Sequence, residues 1–196
     1  MLRTHRLTCF ILCLMLSFSV SSETQFWLKP VEASLLEGTP WGITAQKHGI
    51  DPWLLFAISL EESGKYDKNR SLLTPWPYVT HRNGSVVKHE SLEAAISLVK
   101  QWESAGIKNY DVGPFQINRR WHGRHFANIE DMFDVAVSAD YAAMLLAQMI
   151  TRSKGDSLKG VGLYREWRGG EKAQDYSDRI RIIRTQLPGG LTACCE

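Results

Sequence analysis

Apolar residues recur along this chain at helical spacing, and the stretches that carry them are set off by clear capping signals. Thr39-Pro40 has the form of an N-cap with proline in the first turn, and Gly49 closes the helix predicted over 41–48. Asp51-Pro52 repeats the signal for a helix running to residue 63, with Gly64 behind it. Ser91 opens a third helix to 104, ended by Gly106. Asp134 opens a long one to 154, before Gly155, and Asp156 another to 167. A last amphipathic helix covers 171–186, with Ala173, Tyr176, Ile180, Ile183 and Leu187 turned inward and Arg179, Arg181 and Arg184 facing water. Only residues 77–88 read as β: two β-prone runs flank Asn83-Gly84, the strongest short hairpin signal. The pattern predicts a single, mainly α domain with one small β-hairpin.

Two of these helices are apolar on more than one face. Residues 141–151 carry no charge, and only Gln148 and Thr151 are plainly polar, which marks a central core helix. The run 53–60 (Trp-Leu-Leu-Phe-Ala-Ile-Ser-Leu) is apolar nearly all round, and two glutamates follow it at once.

Composition narrows the class. With 44% hydrophobic and 22% charged residues, and seven Trp, six Tyr and seven Phe, the chain has the material for one sizeable core and is neither disordered nor a multi-span membrane protein. Residues 1–22 read as a secretory signal: Arg3 and Arg6 precede an apolar run over 7–20, and Ser22 offers a cleavage point. Neither Cys9 nor Cys13 follows the small residue that a lipid-attachment signal wants. The domain is then 23–196, exported to the periplasm, or membrane-associated if the signal stays. Cys194 and Cys195 are its only thiols, adjacent and unable to close a long loop. The formal charge of +2 falls to zero without the leader, so no nucleic-acid partner is expected. There is no phosphate-binding glycine loop, no nucleophile elbow and no His-Glu-x-x-His, and His122 and His125 lack further ligands in sequence; neither cofactor nor metal is expected.

At about 100° per residue, Glu62 projects between Leu55 and Ile58, and Glu61 between Leu54 and Ala57. Both sit at the edge of apolar faces, where desolvation raises a carboxyl pKa towards the range useful for general acid catalysis. Periodicity does not choose between them, and both also suit the solvent-facing end of a buried helix.

Three motifs bear on the choice. Residues 57–63 (Ala-Ile-Ser-Leu-Glu-Glu-Ser) resemble the Glu-Ser motif of the goose-lysozyme-like lytic transglycosylases. Residues 111–118 (Asp-Val-Gly-Pro-Phe-Gln-Ile-Asn) resemble their Gly-Leu-Met-Gln-Ile-Asn motif, matching at Gly113, Gln116, Ile117 and Asn118. Val-Gly-Leu-Tyr (161–164) followed by Asp-Tyr-Ser-Asp-Arg-Ile (175–180) resembles the third, a Tyr ahead of a helix that begins near a second Tyr. The likeness covers roughly residues 40 to 186 and is greatest to the specialised members that accompany conjugation, type IV secretion and pilus machines.

The resemblance implies a lysozyme-like α+β fold and a peptidoglycan lytic transglycosylase. Such an enzyme cuts the β-1,4 bond between N-acetylmuramic acid and N-acetylglucosamine and leaves 1,6-anhydromuramic ends. Its partners would be glycan strands and components of an envelope machine for which it opens the wall. By resemblance Glu62 is the single catalytic acid and base, and Ser63 binds substrate or orients Glu62. Gly113 lets the backbone approach the sugar, Phe115 and Ile117 form its apolar wall, and Gln116 and Asn118 offer amide hydrogen bonds. Tyr164 holds Glu62 or an acetamido group through its hydroxyl. Trp76, Tyr78, Trp121 and Trp167 are candidate stacking platforms. Two departures stand out: Pro114-Phe115 replaces the usual Leu-Met pair, and Arg165 follows Tyr164 where Asn, Ser or Gly is common. Two other readings remain open: a lysozyme-type hydrolase pairing Glu62 with Asp111, and a peptidoglycan-binding subunit without turnover.

Overall fold

Every α-helix but the last begins at a side chain able to accept the unpaired amides of its first turn. In the computed structural model, which describes residues 34–68 and 72–188, Thr39 caps α1 (Pro40–His48) and Asp51 caps α2 (Pro52–Ser63). Ser91 caps α3 (Leu92–Ser104), Asn118 the short α4 (Arg119–His122), Asp134 α5 (Val135–Arg152) and Asp156 α6 (Ser157–Arg165). The last helix, α7 (Glu171–Gln186), starts behind Gly170 without a side-chain cap. The leader of residues 1–22, with Cys9 and Cys13, and the terminal Cys194 and Cys195 lie outside the described residues. Among those described, no helix is long and apolar enough to cross a membrane.

Helix α2 is the hub. Leu54, Leu55, Ala57 and Ile58 are buried, and α1, α5 and α7 pack around it. Ala95, Ile96 and Val99 of α3, Ala139, Ala142, Ala143 and Leu146 of α5, and Tyr176 and Ile180 of α7 complete one core. The architecture is mainly α with small antiparallel strands, as the pattern predicts.

The hairpin forms where Asn83-Gly84 places it. Strands β3 (Val79–Arg82) and β4 (Ser85–Lys88) pair Val79 with Lys88 and Arg82 with Ser85. Asn83 (φ 51°) and Gly84 (φ 79°) take the two left-handed positions that a tight turn of this hand requires. The β content exceeds the expectation of one hairpin. Strands β1 (Gly64–Asp67) and β2 (Leu72–Pro75) pair directly behind α2, and β5 (Asp111–Val112) and β6 (Ile117–Asn118) extend the hairpin into a sheet of order β4-β3-β5-β6. These strands are two to four residues long, too short to show an alternation in sequence.

Three further expectations are corrected. Helix α5 stops at Arg152 because Lys154 (φ 61°) and Gly155 (φ 90°) turn left-handed, and α6 stops at Arg165, where Glu166 is extended. The uncharged face of α5 does not all enter the core, since Tyr141, Leu145 and Met149 remain half-buried on another side. Arg184 does not face water. It is fully buried, donates from Nε to Asp51 Oδ2 at 2.9 Å and from Nη1 to the Pro188 carbonyl at 3.0 Å. Asp51 Oδ1 meanwhile caps α2 by accepting from the Trp53 amide.

That ion pair joins the start of α2 to the end of α7, and both side chains are nearly out of solvent. Removing one partner strands the other's charge, so Arg184→Met is expected to cost about 3–5 kcal/mol of unfolding free energy, read by urea denaturation. A loss below about 1 kcal/mol would mean that the pair contributes no more than a surface bridge does.

Candidate active site

The last turn of α2 carries Glu61 and Glu62 to opposite fates. Glu61 points to the rim, where Arg179 Nε donates to its Oε1 at 2.5 Å. Glu62 turns inward, its side chain only 9% exposed, and Tyr176 Oη donates to its Oε1 at 2.7 Å. Arg165 Nη1 lies 3.9 Å from Glu62 Oε2, a facing charge beyond hydrogen-bond length. Burial pushes the Glu62 carboxyl above the ordinary glutamate range. Arg165 and the Tyr176 hydroxyl pull the other way without cancelling it, while Glu61 and Asp111 add to the rise.

Tyr176 reaches Glu62 because α6 and α7 pack closely. A Cβ on Gly162 would lie 2.7 Å from the Ala173 carbonyl oxygen, so only glycine admits this approach. The Arg179 guanidinium sits 5.5 Å over the Tyr176 ring, backing it from the rim. Burial raises the pKa of both Tyr176 and Tyr164, which keeps their hydroxyls protonated as donors.

Facing α2 is the turn between β5 and β6. Gly113 (φ 80°) and Gln116 (φ 45°) both take left-handed backbone, and Gln116 Nε2 donates to the Gly113 carbonyl at 2.9 Å, bracing the turn from within. A Cβ on Gly113 would fall 2.0 Å from the Met132 carbonyl oxygen. Ser63 ties the turn to α2: its hydroxyl is shared between the carbonyls of Ser59 (2.8 Å) and Pro114 (3.0 Å) and accepts from the Trp76 amide.

Between these parts lies a cleft of about 760 Å³. Glu62, Asp111, Phe115, Gln116, Ile117 and Asn118 form one side. The other is the stripe Tyr141, Leu145, Met149, one residue per turn of α5, with Leu163, Tyr164 and Arg165 of α6 and the segment 166–168 beyond it. Trp121 and Trp167, 63% and 59% exposed, stand on its rim. His122 Nδ1 lies 2.7 Å from the Tyr141 hydroxyl, and burial lowers the His122 pKa, so a neutral imidazole shares a hydrogen bond with that hydroxyl.

The cleft therefore gathers Glu62, Phe115, Gln116, Ile117, Asn118 and Tyr164, but several roles differ from expectation. Ser63 is buried and spends its hydroxyl on backbone, so it neither reaches the cleft nor touches Glu62. Gly113 makes its close approach to Met132 rather than to a ligand. Gln116 Nε2 donates to the carbonyls of Gly113 in the turn and Val79 in β3, which leaves Oε1 as its spare acceptor, with no partner among the described residues. Asn118 is committed on both sides. Its Oδ1 caps α4 at the Arg120 and Trp121 amides, and its Nδ2 donates to Asp111 Oδ1 at 2.7 Å. The hydroxyl on Glu62 belongs to Tyr176, not Tyr164. Trp76 and Tyr78 lie outside the cleft lining, Trp76 donating to the His89 carbonyl under the Lys65 ammonium.

Three elements of the site have roles that the sequence does not announce. Tyr176 stands in the sequence as a core position and as the second Tyr of the third motif, and its bond to Glu62 is new. Arg165 is visible only as a departure from a motif. The stripe 141, 145, 149 is legible in retrospect, because an uncharged helix offers more apolar surface than one core face can take. Among the described residues, no three His, Cys, Asp or Glu side chains gather as a metal-binding group.

Two outcomes follow for stability. Gly113→Ala is expected to cost about 2–5 kcal/mol by denaturant titration, combining a backbone clash with left-handed strain. Glu62→Gln is expected to stabilise the protein at neutral pH. Because the folded state holds the Glu62 proton more tightly than the unfolded chain, ionising it costs stability as pH rises above the ordinary glutamate range. The amide avoids that cost, so the rise in Tm should be full near pH 8 and vanish below about pH 4, where both states carry the proton. An equal change at both pH values would exclude desolvation of Glu62 as its origin.

Comparison with known proteins finds no matching family model, no matching curated protein and no matching solved structure.

Proposed function

We propose that this chain is a peptidoglycan lytic transglycosylase, exported through its N-terminal leader and cutting glycan strands in the periplasm. The observation that carries the reading is the placement of Glu62: one carboxyl, nearly out of water, with a raised proton affinity, opening on the same cleft as Gln116 and an apolar wall. The three motifs that resemble the transglycosylases also converge on this cleft.

A carboxyl whose proton affinity is raised by burial can pass its proton to a glycosidic oxygen as the C1–O bond breaks. The sugar left behind bears positive charge at C1 and its ring oxygen. Glu62, now anionic, is steadied by the Tyr176 hydroxyl. It then takes the proton of the sugar's own 6-hydroxyl as that oxygen closes on C1. No water is consumed, and Glu62 ends protonated as it began. Apolar walls at Phe115, Ile117, Leu145 and Met149 suit a site that keeps water from competing with the internal hydroxyl. The Gln116 Oε1 acceptor suits an acetamido N–H. A gap cut this way would admit a conjugation, secretion or pilus assembly through the wall.

One observation favours a hydrolase instead, since Asp111 lines the same cleft. Its two oxygens, however, are held by Asn118 (2.7 Å) and His81 (3.2 Å), the arrangement of a fixed structural anion rather than of a base free to activate water. Digestion of purified sacculi decides: transglycosylation gives anhydro ends with no added mass, and hydrolysis adds one water per cut. Glu62→Gln should lower release of anhydro-muropeptides by at least about 10²-fold. Undiminished release would remove Glu62 from the chemistry.

A further inference from the structure

Arginines near carboxylates elsewhere in this fold are bonded to them. Arg119 donates to Glu103 at 3.0 Å, Arg179 to Glu61 at 2.5 Å and Arg184 to Asp51 at 2.9 Å. Arg165 differs. Its nearest carboxylate is Glu62 at 3.9 Å, its guanidinium makes no hydrogen bond among the described residues, and its side chain is 45% exposed on the cleft wall. Three residues further along the chain, on the same wall, Arg168 lies 4.9 Å over the exposed Trp167 ring and has no ion pair among the described residues. Glu166, between them, accepts from the Arg168 backbone amide. Two guanidiniums thus line an open cleft with most of their ten N–H donors unspent, beside a ring suited to the flat face of a sugar.

We propose that Arg165 is an exchangeable counter-ion: it faces Glu62 in the free protein and crosses to a carboxylate on the peptide substituent of the glycan when a strand fills the cleft. The inference rests on the reading of Glu62 as the acid. Its consequence follows from the neighbours of Glu62. On α2 it faces Glu61, from β5 Asp111, from α6 Tyr164 and Arg165, and from α7 Tyr176. Arg165 is the one cation in that set. Once it leaves, the remaining groups are anionic or neutral, so Glu62 takes up a proton from solvent and holds it. The acid is then loaded when a peptide-bearing strand is seated and is less available otherwise, which confines cutting to strands that carry carboxylates.

The test uses the whole protein and two substrates, glycan strands with their peptides and the same strands stripped by an amidase. For the wild type, kcat/KM should be about tenfold higher on peptide-bearing strands. The alkaline limb of kcat should lie at higher pH with these strands than with stripped ones. Arg165→Gln should bring the two substrates within about twofold, merge their kcat limbs and move the kcat/KM limb to higher pH, because the free protein has already lost the cation. Arg165→Lys, which keeps the charge, should leave the kcat/KM limb near its wild-type position. Binding adds a readout independent of turnover. In a Glu62→Gln background, peptide-bearing strands should bind about tenfold tighter than stripped ones, and adding Arg165→Gln should abolish the difference. Equal handling of both strands by the wild type, or a preference that survives Arg165→Gln in cleavage or in binding, overturns the proposal while leaving Glu62 as the acid. Cleavage of neither strand by the wild type overturns the transglycosylase reading and this inference with it.

Discussion

A carboxyl removed from water at the end of an apolar helix is the constraint around which this structure is arranged. Isolated, such a group costs more than a helix of this length can offset, and the protein answers it with one neutral donor and one distant cation rather than a tight ion pair. A bonded arginine would have stabilised the anion and cancelled the rise in proton affinity that burial gives. The Tyr176 hydroxyl at 2.7 Å serves either protonation state, since the carboxyl can accept from it whether or not it carries a proton.

Holding that geometry falls to α2 and α7, which are fastened to each other at both ends. Asp51 and Arg184 lock the start of α2 to the end of α7, and Glu61 with Arg179, beside Glu62 with Tyr176, lock the end of α2 to the second and third turns of α7. Each fastening uses a helix-terminal acid of α2 and a residue one helical face along α7, so the register of the two helices fixes where the Glu62 carboxyl points. The buried Arg184, two turns beyond Tyr176 on the same helix, is thus a structural counterpart to the site that sets the same helix pair.

Much of this was legible in the chain. Caps at Thr39, Asp51, Ser91, Asp134 and Asp156 act through local hydrogen bonds two or three residues away, so sequence alone places them. The Asn83-Gly84 turn is equally local. What escaped the pattern is what depends on partners distant in sequence. Arg184 reads as one of three water-facing arginines, and only the approach of Asp51, 133 positions earlier, makes it a core residue. Periodicity could not separate Glu61 from Glu62, because their neighbours along α2 are equally apolar. Their difference comes from α7, which offers a guanidinium to one and a phenol to the other. Strands β5 and β6 flank a turn that is anchored from outside, by Ser63 and Val79, partners no local pattern reveals.

The same anchoring explains why Pro114-Phe115 can stand where a Leu-Met pair is usual in the motif it resembles. Position 114 acts through its carbonyl, which accepts from Ser63, and proline keeps that group. Position 115 acts as buried apolar volume against the core, a demand that phenylalanine meets as well as methionine does. The features that side-chain identity does control are Gly113, where the Met132 carbonyl leaves no room for a Cβ, and Gln116, whose amide braces its own left-handed turn. Those two residues match the motif, and the two that do not match are the ones whose work is done by backbone or by bulk.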